Sequence, residues 1–405
     1  MALRSVHSAF HHRDFTRYFS ARVLENTAHQ LVLVALSQFV YDLTHDPMAL
    51  GLAGLSVFLA KLLFTIPAGH TADRFLKRRI LFFCRIVGAA LLAILLTMIL
   101  VDWTPLWAIY TLLFCWGASQ AFDGPAGQSL VPELVSAERF PNAVTWNSTG
   151  QHLSTIIGPV VSGILYAWTS GPTLSVIMAI IFGAISAFLA LGLPINKRLT
   201  ATTRGLAFAL DGLSYVFKTR ALLGIISLDL FAVLLGGAVA LLPVFANDIL
   251  GVGPAGLGIL RAAPAVGGAF MALILTRLPA MKNAGVALLT YVALFGLATI
   301  AFGLSKNFWL SASLLFALGA FDMVSMVIRG VMVQLKTPTE MRGRVSAVNL
   351  IFIGASNELG EFESGFTAAL FGIVPATILG GIGTLLIVAL WTVLFPEIRK
   401  IKALH

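Results

Sequence analysis

Glu25 and His29 stand one helical turn apart in an apolar run near the start of the chain, with Arg22 and Asn26 on the same face. A buried carboxyl and an imidazole one turn away can exchange a proton near neutral pH. They can equally form a satisfied local pair, and both readings stand. Further acids lie inside other apolar runs: Asp123, Asp229, Asp322, and the cluster Glu358, Glu361 and Glu363 beside Asn357. Asp123 and Asp322 each follow a phenylalanine, and both runs exit through similar Pro, Glu and Arg residues. A charge at mid-membrane costs about 3 kcal/mol even on conservative scales, so such groups face a cavity or a partner. Arg22, near the inner end of its run, is expected to snorkel toward the headgroups. Asp229 either lines a pathway or pairs with a neighbour for packing alone.

The elements that must hold these groups are membrane helices. Of the 405 residues, 58% are hydrophobic and only 11% charged, with a mean hydropathy of +0.91. A soluble domain is about half apolar and a quarter charged. Apolar runs fall at 17–41, 48–69, 80–101, 105–131, 144–168, 172–193, 221–246, 254–276, 284–304, 308–333, 345–371 and 373–395. The runs are continuous rather than alternating, which predicts helices and not a barrel. The expected fold class is therefore all-α integral membrane, with twelve transmembrane helices. The longest polar interruption divides the chain into a bundle at 1–195, a central loop at 196–220 and a second bundle at 221–405. Within that loop Leu206–Phe217 has helical spacing, and with the Phe10–Phe19 stretch it is expected to lie along the membrane surface.

Basic residues fix the orientation. Of the 27 Lys and Arg, Arg22, Lys61, Arg85, Arg261 and Arg329 fall within runs. Lys306 lies on the far side, and the rest share the side of the N-terminus. This asymmetry predicts a cytoplasmic N- and C-terminus. Trp103, Trp107, Trp168 and Trp309 sit at the outer ends, as an aromatic belt would place them. The net charge of +9 is thus spread over loops and implies no nucleic-acid partner. No cleavable signal is expected, since no small-residue cleavage site follows the first apolar stretch. Cys84 and Cys115 lie inside runs and imply neither a disulfide nor a metal site. His11 and His12 have no third ligand at metal spacing. No phosphate-binding Gly-Lys-Ser/Thr loop exists, so ATP-driven transport is excluded. No nucleophile–base arrangement or catalytic loop stands out, which argues against an enzyme and against any cofactor.

One polar turn carries more information than its neighbours. It reads Gly69-His70-Thr71-Ala72-Asp73-Arg74-Phe75-Leu76-Lys77-Arg78-Arg79. Glycine, three residues, aspartate, arginine and then a basic run resembles the loop between helices 2 and 3 of the major facilitator superfamily. His70, Thr71 and Leu76 depart from the usual residues of that loop. Leu241–Gly253 with Arg261–Pro264, Val131–Val135, and Asn357–Gly365 resemble the enterobactin-exporter-like branch of that superfamily.

The resemblance implies two pseudo-symmetric six-helix halves working by alternating access. It also implies a conformational latch of Gly69, Asp73, Arg74, Arg78 and Arg344, with Asp73 favoured near the positive end of helix 11. Helices 1, 4, 7 and 10 line the cavity in this fold, which places Glu25, His29, Asp123, Asp229 and Asp322 on a proton or substrate pathway. Glu358 and Glu361 extend that pathway on helix 11. Helix 2 packs against helix 11, so Lys61 is a candidate partner for Glu358 or Glu361, as a state-dependent bridge or as a static one. Gly158, Pro159 and Gly163 in helix 5 resemble an antiporter motif, although Gly-Pro is often only a kink.

These features together predict a bacterial inner-membrane exporter of an amphiphilic small molecule, siderophore or drug, driven by proton antiport. Its expected partners are the substrate, protons and the lipid bilayer, and the family's habit implies a monomer. Two alternatives remain: a lysophospholipid or lipid flippase on the same fold, and a non-transporting membrane receptor or scaffold.

Overall fold

A computed structural model describes residues 9–136, 138–194, 206–277 and 283–401, apart from the side chains of Asp73, residues 206–210, Ala238, Thr339, Ala347 and Leu350. Arg4, Lys197, Arg198, Arg204, Lys282 and Lys402, all counted in the charge asymmetry, lie outside the described residues.

Twelve long helical segments account for the apolar runs, and no strand occurs among the described residues. In order they are α1 Arg13–Thr44, α2 Pro47–Arg74, α3 Lys77–Leu100, α4 Leu106–Gln128, α5 Phe140–Thr169 and α6 Thr173–Leu191. These are followed by α7 Arg220–Leu235, α8 Gly253–Leu275, α9 Ala284–Leu304, α10 Phe308–Lys336, α11 Arg342–Phe371 and α12 Ile373–Leu394. Among the described residues, eight helical stretches are both long and apolar enough to cross a membrane. The other four, α1, α4, α5 and α11, have spanning length but are diluted by polar and small residues. The chain is a multi-pass membrane protein of all-α architecture.

Short breaks separate the helices. Leu76 is extended (φ −64°, ψ 116°), which stops α2 and lets α3 begin at Lys77. Asn307 caps α10, its side chain accepting from the Leu310 amide at 3.0 Å. The seventh run departs from its expected continuity. α7 stops at Leu235, and the Gly236–Gly237 pair leads into a 3-10 turn (Ala238–Leu241) and a π turn (Phe245–Ile249). Gly237 can break the helix there because Ser364 of α11 donates to its carbonyl at 3.0 Å. A Cβ on Gly360 would meet the Val233 and Leu234 carbonyls at 3.1 Å, so α7 and α11 touch backbone to backbone.

The chain forms two compact units: Met1–Val40 with Ser56–Thr202, and Tyr41–Leu55 with Thr203–His405. The outer end of α1 and the first turns of α2 therefore pack with the second unit. In the first unit α3 packs on α4 and α6. α5 lies along α1 through Gly150, Ser154, Gly158 and Ser162, spaced by four residues. Gly150 faces Phe19 and Val23, and Gly158 faces Gln30. Ser154 donates to the Val23 carbonyl at 3.2 Å and Ser162 to the Leu31 carbonyl at 2.8 Å. The Phe10 end does more than lie on a surface: its ring meets Phe15, Phe19 and Trp146 at centroid distances of 5.5, 5.2 and 5.1 Å.

In the second unit α8 packs on α10, α9 on α10 and α12, and α11 on α7. The amphipathic helix Leu206–Lys218 belongs to this unit and packs on α11, with Gly212 against the Arg344 backbone.

Candidate functional site

The first unit holds a buried cluster of four charges. Asp123 of α4 is 3% exposed and accepts from two arginines. Arg22 of α1 reaches it at 3.0 Å, and Arg85 of α3 at 2.9 Å through Nε. Arg85 is itself 2% exposed and also donates to Ser186 Oγ of α6 at 2.9 Å. Ser186 passes the chain on, donating to the Ala21 carbonyl of α1 at 2.7 Å. Glu25 stands 3.8 Å from Arg85 Nε, too far for a hydrogen bond. Two cations thus face two carboxylates, one gripped by both arginines and one held loosely. Glu25 Oε2, Asn26 Nδ2 and Arg85 Nη2 are buried without a hydrogen-bond partner among the described residues. One turn along α1, His29 stacks on Trp116 of α4 at 4.8 Å between ring centroids.

Arg22 therefore does not snorkel. Its guanidinium turns inward because a doubly held carboxylate is a better partner than interfacial water. Arg85 is the charged member of this cluster that sequence reasoning did not single out as a site residue. Its position inside a run, where a charge needs a reason, was the available signal; its partner on α4 was not visible without the fold.

Asp229 and Arg329 form the corresponding ion pair of the second unit, joining α7 to α10 with Arg329 3% exposed. The first unit joins α1 to α4 with the signs reversed. The recurring Phe-Asp pairs have different surroundings: Asp123 is doubly paired, whereas no hydrogen bond or ion pair joins the half-buried Asp322 to another described residue. On α11, Glu361 lies 3.9 Å from Arg261 of α8, and Glu363 accepts from Thr367 at 2.8 Å. Glu358 is on the same helix and Lys61 is half-buried on α2.

The turn between α2 and α3 spreads its charges. Gly69 and Asp73 lie in the final turns of α2, the Asp73 side chain outside the described residues. Arg74 is exposed at the end of α2. Arg78 donates to the Leu193 carbonyl at 3.2 Å, and Lys77 pairs with Glu133. Arg344 pairs at 3.2 Å with Asp211 of the amphipathic helix. In α5, Gly158, Pro159 and Gly163 are all buried.

Chemically, the two charge clusters can hold or release a proton or a polar ligand between helices. Among the described residues, no group of His, Cys, Asp and Glu could hold a metal ion. The chain is 24% identical over 393 residues to the enterobactin exporter EntS of Escherichia coli O1:K1, covering 96% of this chain and 94% of that exporter. It is 25% identical over 398 residues to the staphyloferrin A transporter of Staphylococcus aureus, covering 95% and 96%. Its fold superposes with a TM-score of 0.74, at 15% identity and over 96% of the chain, on a bacterial homologue of the human lysosomal transporter Spinster, covering 98% of that protein. The family model described as transmembrane secretion effector matches residues 4–405. The chain belongs to this transmembrane secretion effector family of the major facilitator superfamily, and it is a transporter rather than an enzyme.

Proposed function

We propose that this transporter exports an amphiphilic small molecule of the siderophore class from the bacterial cytoplasm by proton antiport. The observation that carries the reading is the balanced cluster of Arg22, Glu25, Arg85 and Asp123, inside a chain similar over its whole length to two siderophore transporters. Of the two carboxylates only Asp123 is hydrogen-bonded to both arginines, and Glu25, held loosely, is the proton carrier of this reading. A proton on Glu25 leaves the cluster with excess positive charge and weakens the hold of Arg85 on α1. That change gives alternating access a lever between helices. His29, Asp229, Asp322, Glu358 and Glu361 complete the pathway in this reading, and Asp322 is the group open to a second proton or to cargo. Gly69, Asp73, Arg74, Arg78 and Arg344 act as the conformational latch of the cytoplasmic face. Lys61 pairs with Glu358 or Glu361 in one state of the cycle, and the Gly158-Pro159 step with Gly163 lets α5 bend against α1. The protein works as a monomer in the inner membrane with both termini cytoplasmic.

The test compares spent medium and cell extracts of iron-starved cells lacking the protein with those of complemented cells, by untargeted mass spectrometry. A chelator should vanish from the medium of the deletion strain and accumulate inside it. Complementation by the Asp123→Asn variant should leave it inside. Identical media would overturn the reading.

A further inference from the structure

We propose that the cleft formed by the ends of α2, α3 and α4 beside the α2–α3 turn binds an anionic phospholipid. The cleft encloses about 470 Å³, within the range of ligand pockets of about 300–1,000 Å³. Its walls are apolar, built from Phe75, Ile80, Phe83 and Phe122, and Arg74 and Arg79 stand among them. The four cations of this turn divide by task. Lys77 is occupied by Glu133 and by the Ser129 carbonyl, and Arg78 by the Leu193 carbonyl. Arg74 and Arg79 are exposed and make no hydrogen bond or ion pair with a described side chain. Two guanidinium groups with no partner among the described side chains thus flank an aromatic-walled space.

Depth and polarity decide the occupant. The turn between two spanning helices lies at headgroup level, where a basic pocket attracts the phosphate of an acidic lipid. Arginine suits that role because its planar fork binds phosphate oxygens in pairs. Phe75 and Phe83 are 65% and 61% exposed, and an acyl chain is the neighbour that a bilayer offers to such rings. A free phosphate would satisfy the arginines and leave the walls unused. A zwitterionic lipid carries its own cation beside the phosphate and gains less from them. This inference requires only that lipid surrounds these helices; it holds whatever the cargo.

The purified full chain in detergent is mixed with palmitoyl-oleoyl phosphatidylglycerol, with phosphatidylcholine of the same chains, or with inorganic phosphate, and bound species are counted by native mass spectrometry. Phosphatidylglycerol should be retained over phosphatidylcholine. Arg74→Gln and Arg79→Gln should each weaken it about five-fold, the equivalent of one cation at the surface. Phe83→Ser should weaken it as well, and Arg79→Lys should retain most of the binding. Arg220→Gln, which removes an exposed cation elsewhere, should change nothing. Equal retention of the two lipids, an unaffected Arg79→Gln variant, an equal loss in Arg220→Gln, or displacement by inorganic phosphate would each overturn the proposal.

Discussion

Arg329 and Asp229 pose the residue-scale question, because each is buried and each has the other as its ion-pair partner. Removing one member of such a pair strands the other charge and costs about 3–5 kcal/mol, whereas replacing both with apolar residues is close to neutral. Arg329→Leu should therefore lower the unfolding temperature of the purified protein sharply. Asp229→Leu combined with Arg329→Leu should recover most of that loss, measured by thermal unfolding in one detergent. Export in the recovered double variant should stay lost if Asp229 belongs to the pathway; restored export would assign the pair to packing alone. The existence of these groups was legible in the sequence, since a charge inside an apolar run declares itself. Their partners were not. Arg22, Arg85 and Asp123 come from three different helices, and nothing along the chain specifies which helix faces which. The likeness of Phe122-Asp123 to Phe321-Asp322 was likewise visible, yet among the described residues only Asp123 has arginine partners.

Between elements, small residues decide how closely helices approach. Gly158 of α5 faces α1 so tightly that a Cβ there would lie 2.5 Å from Gln30 Cβ, a separation that real side chains do not tolerate. Gly124 of α4 has nothing within 4 Å of the same construction. The two positions make a controlled pair. Gly158→Ala should cost about 1–3 kcal/mol through overpacking and reduce export. Gly124→Ala should be neutral or stabilising by up to about 1 kcal/mol, because alanine loses less backbone entropy in a helix. Unfolding temperatures of the two variants, read beside wild type, check both signs. Helix positions were legible because continuous apolar runs in a bilayer have no alternative to hydrogen-bonding within themselves. The break after Leu235 was not, because Gly236 and Gly237 are common within membrane helices, and the donor that steadies the break, Ser364, lies on α11.

For the whole molecule, the distribution of cations implies a direction. Lys306, exposed between α9 and α10, stands apart from the basic turns that share the side of the N-terminus, and loops rich in Lys and Arg are retained in the cytoplasm. If the N-terminus is cytoplasmic, the α9–α10 loop faces outward and the exposed Glu138, between α4 and α5, faces inward. Cys84 and Cys115 are the only cysteines, and replacing both with alanine gives a background for single reporters. Lys306→Cys in intact cells should react with a membrane-impermeant maleimide within minutes, whereas Glu138→Cys should react only after the membrane is opened. The reverse pattern would invert the whole transporter. Labelling of both in intact cells would mean an even number of spans between them, against the odd number that α5–α9, the broken seventh helix included, require if the two loops lie on opposite faces. That count is itself decisive: α5, α6, α7, α8 and α9 are five crossings between Glu138 and Lys306, so opposite reactivity at the two sites is the only result consistent with every one of these helices spanning the bilayer.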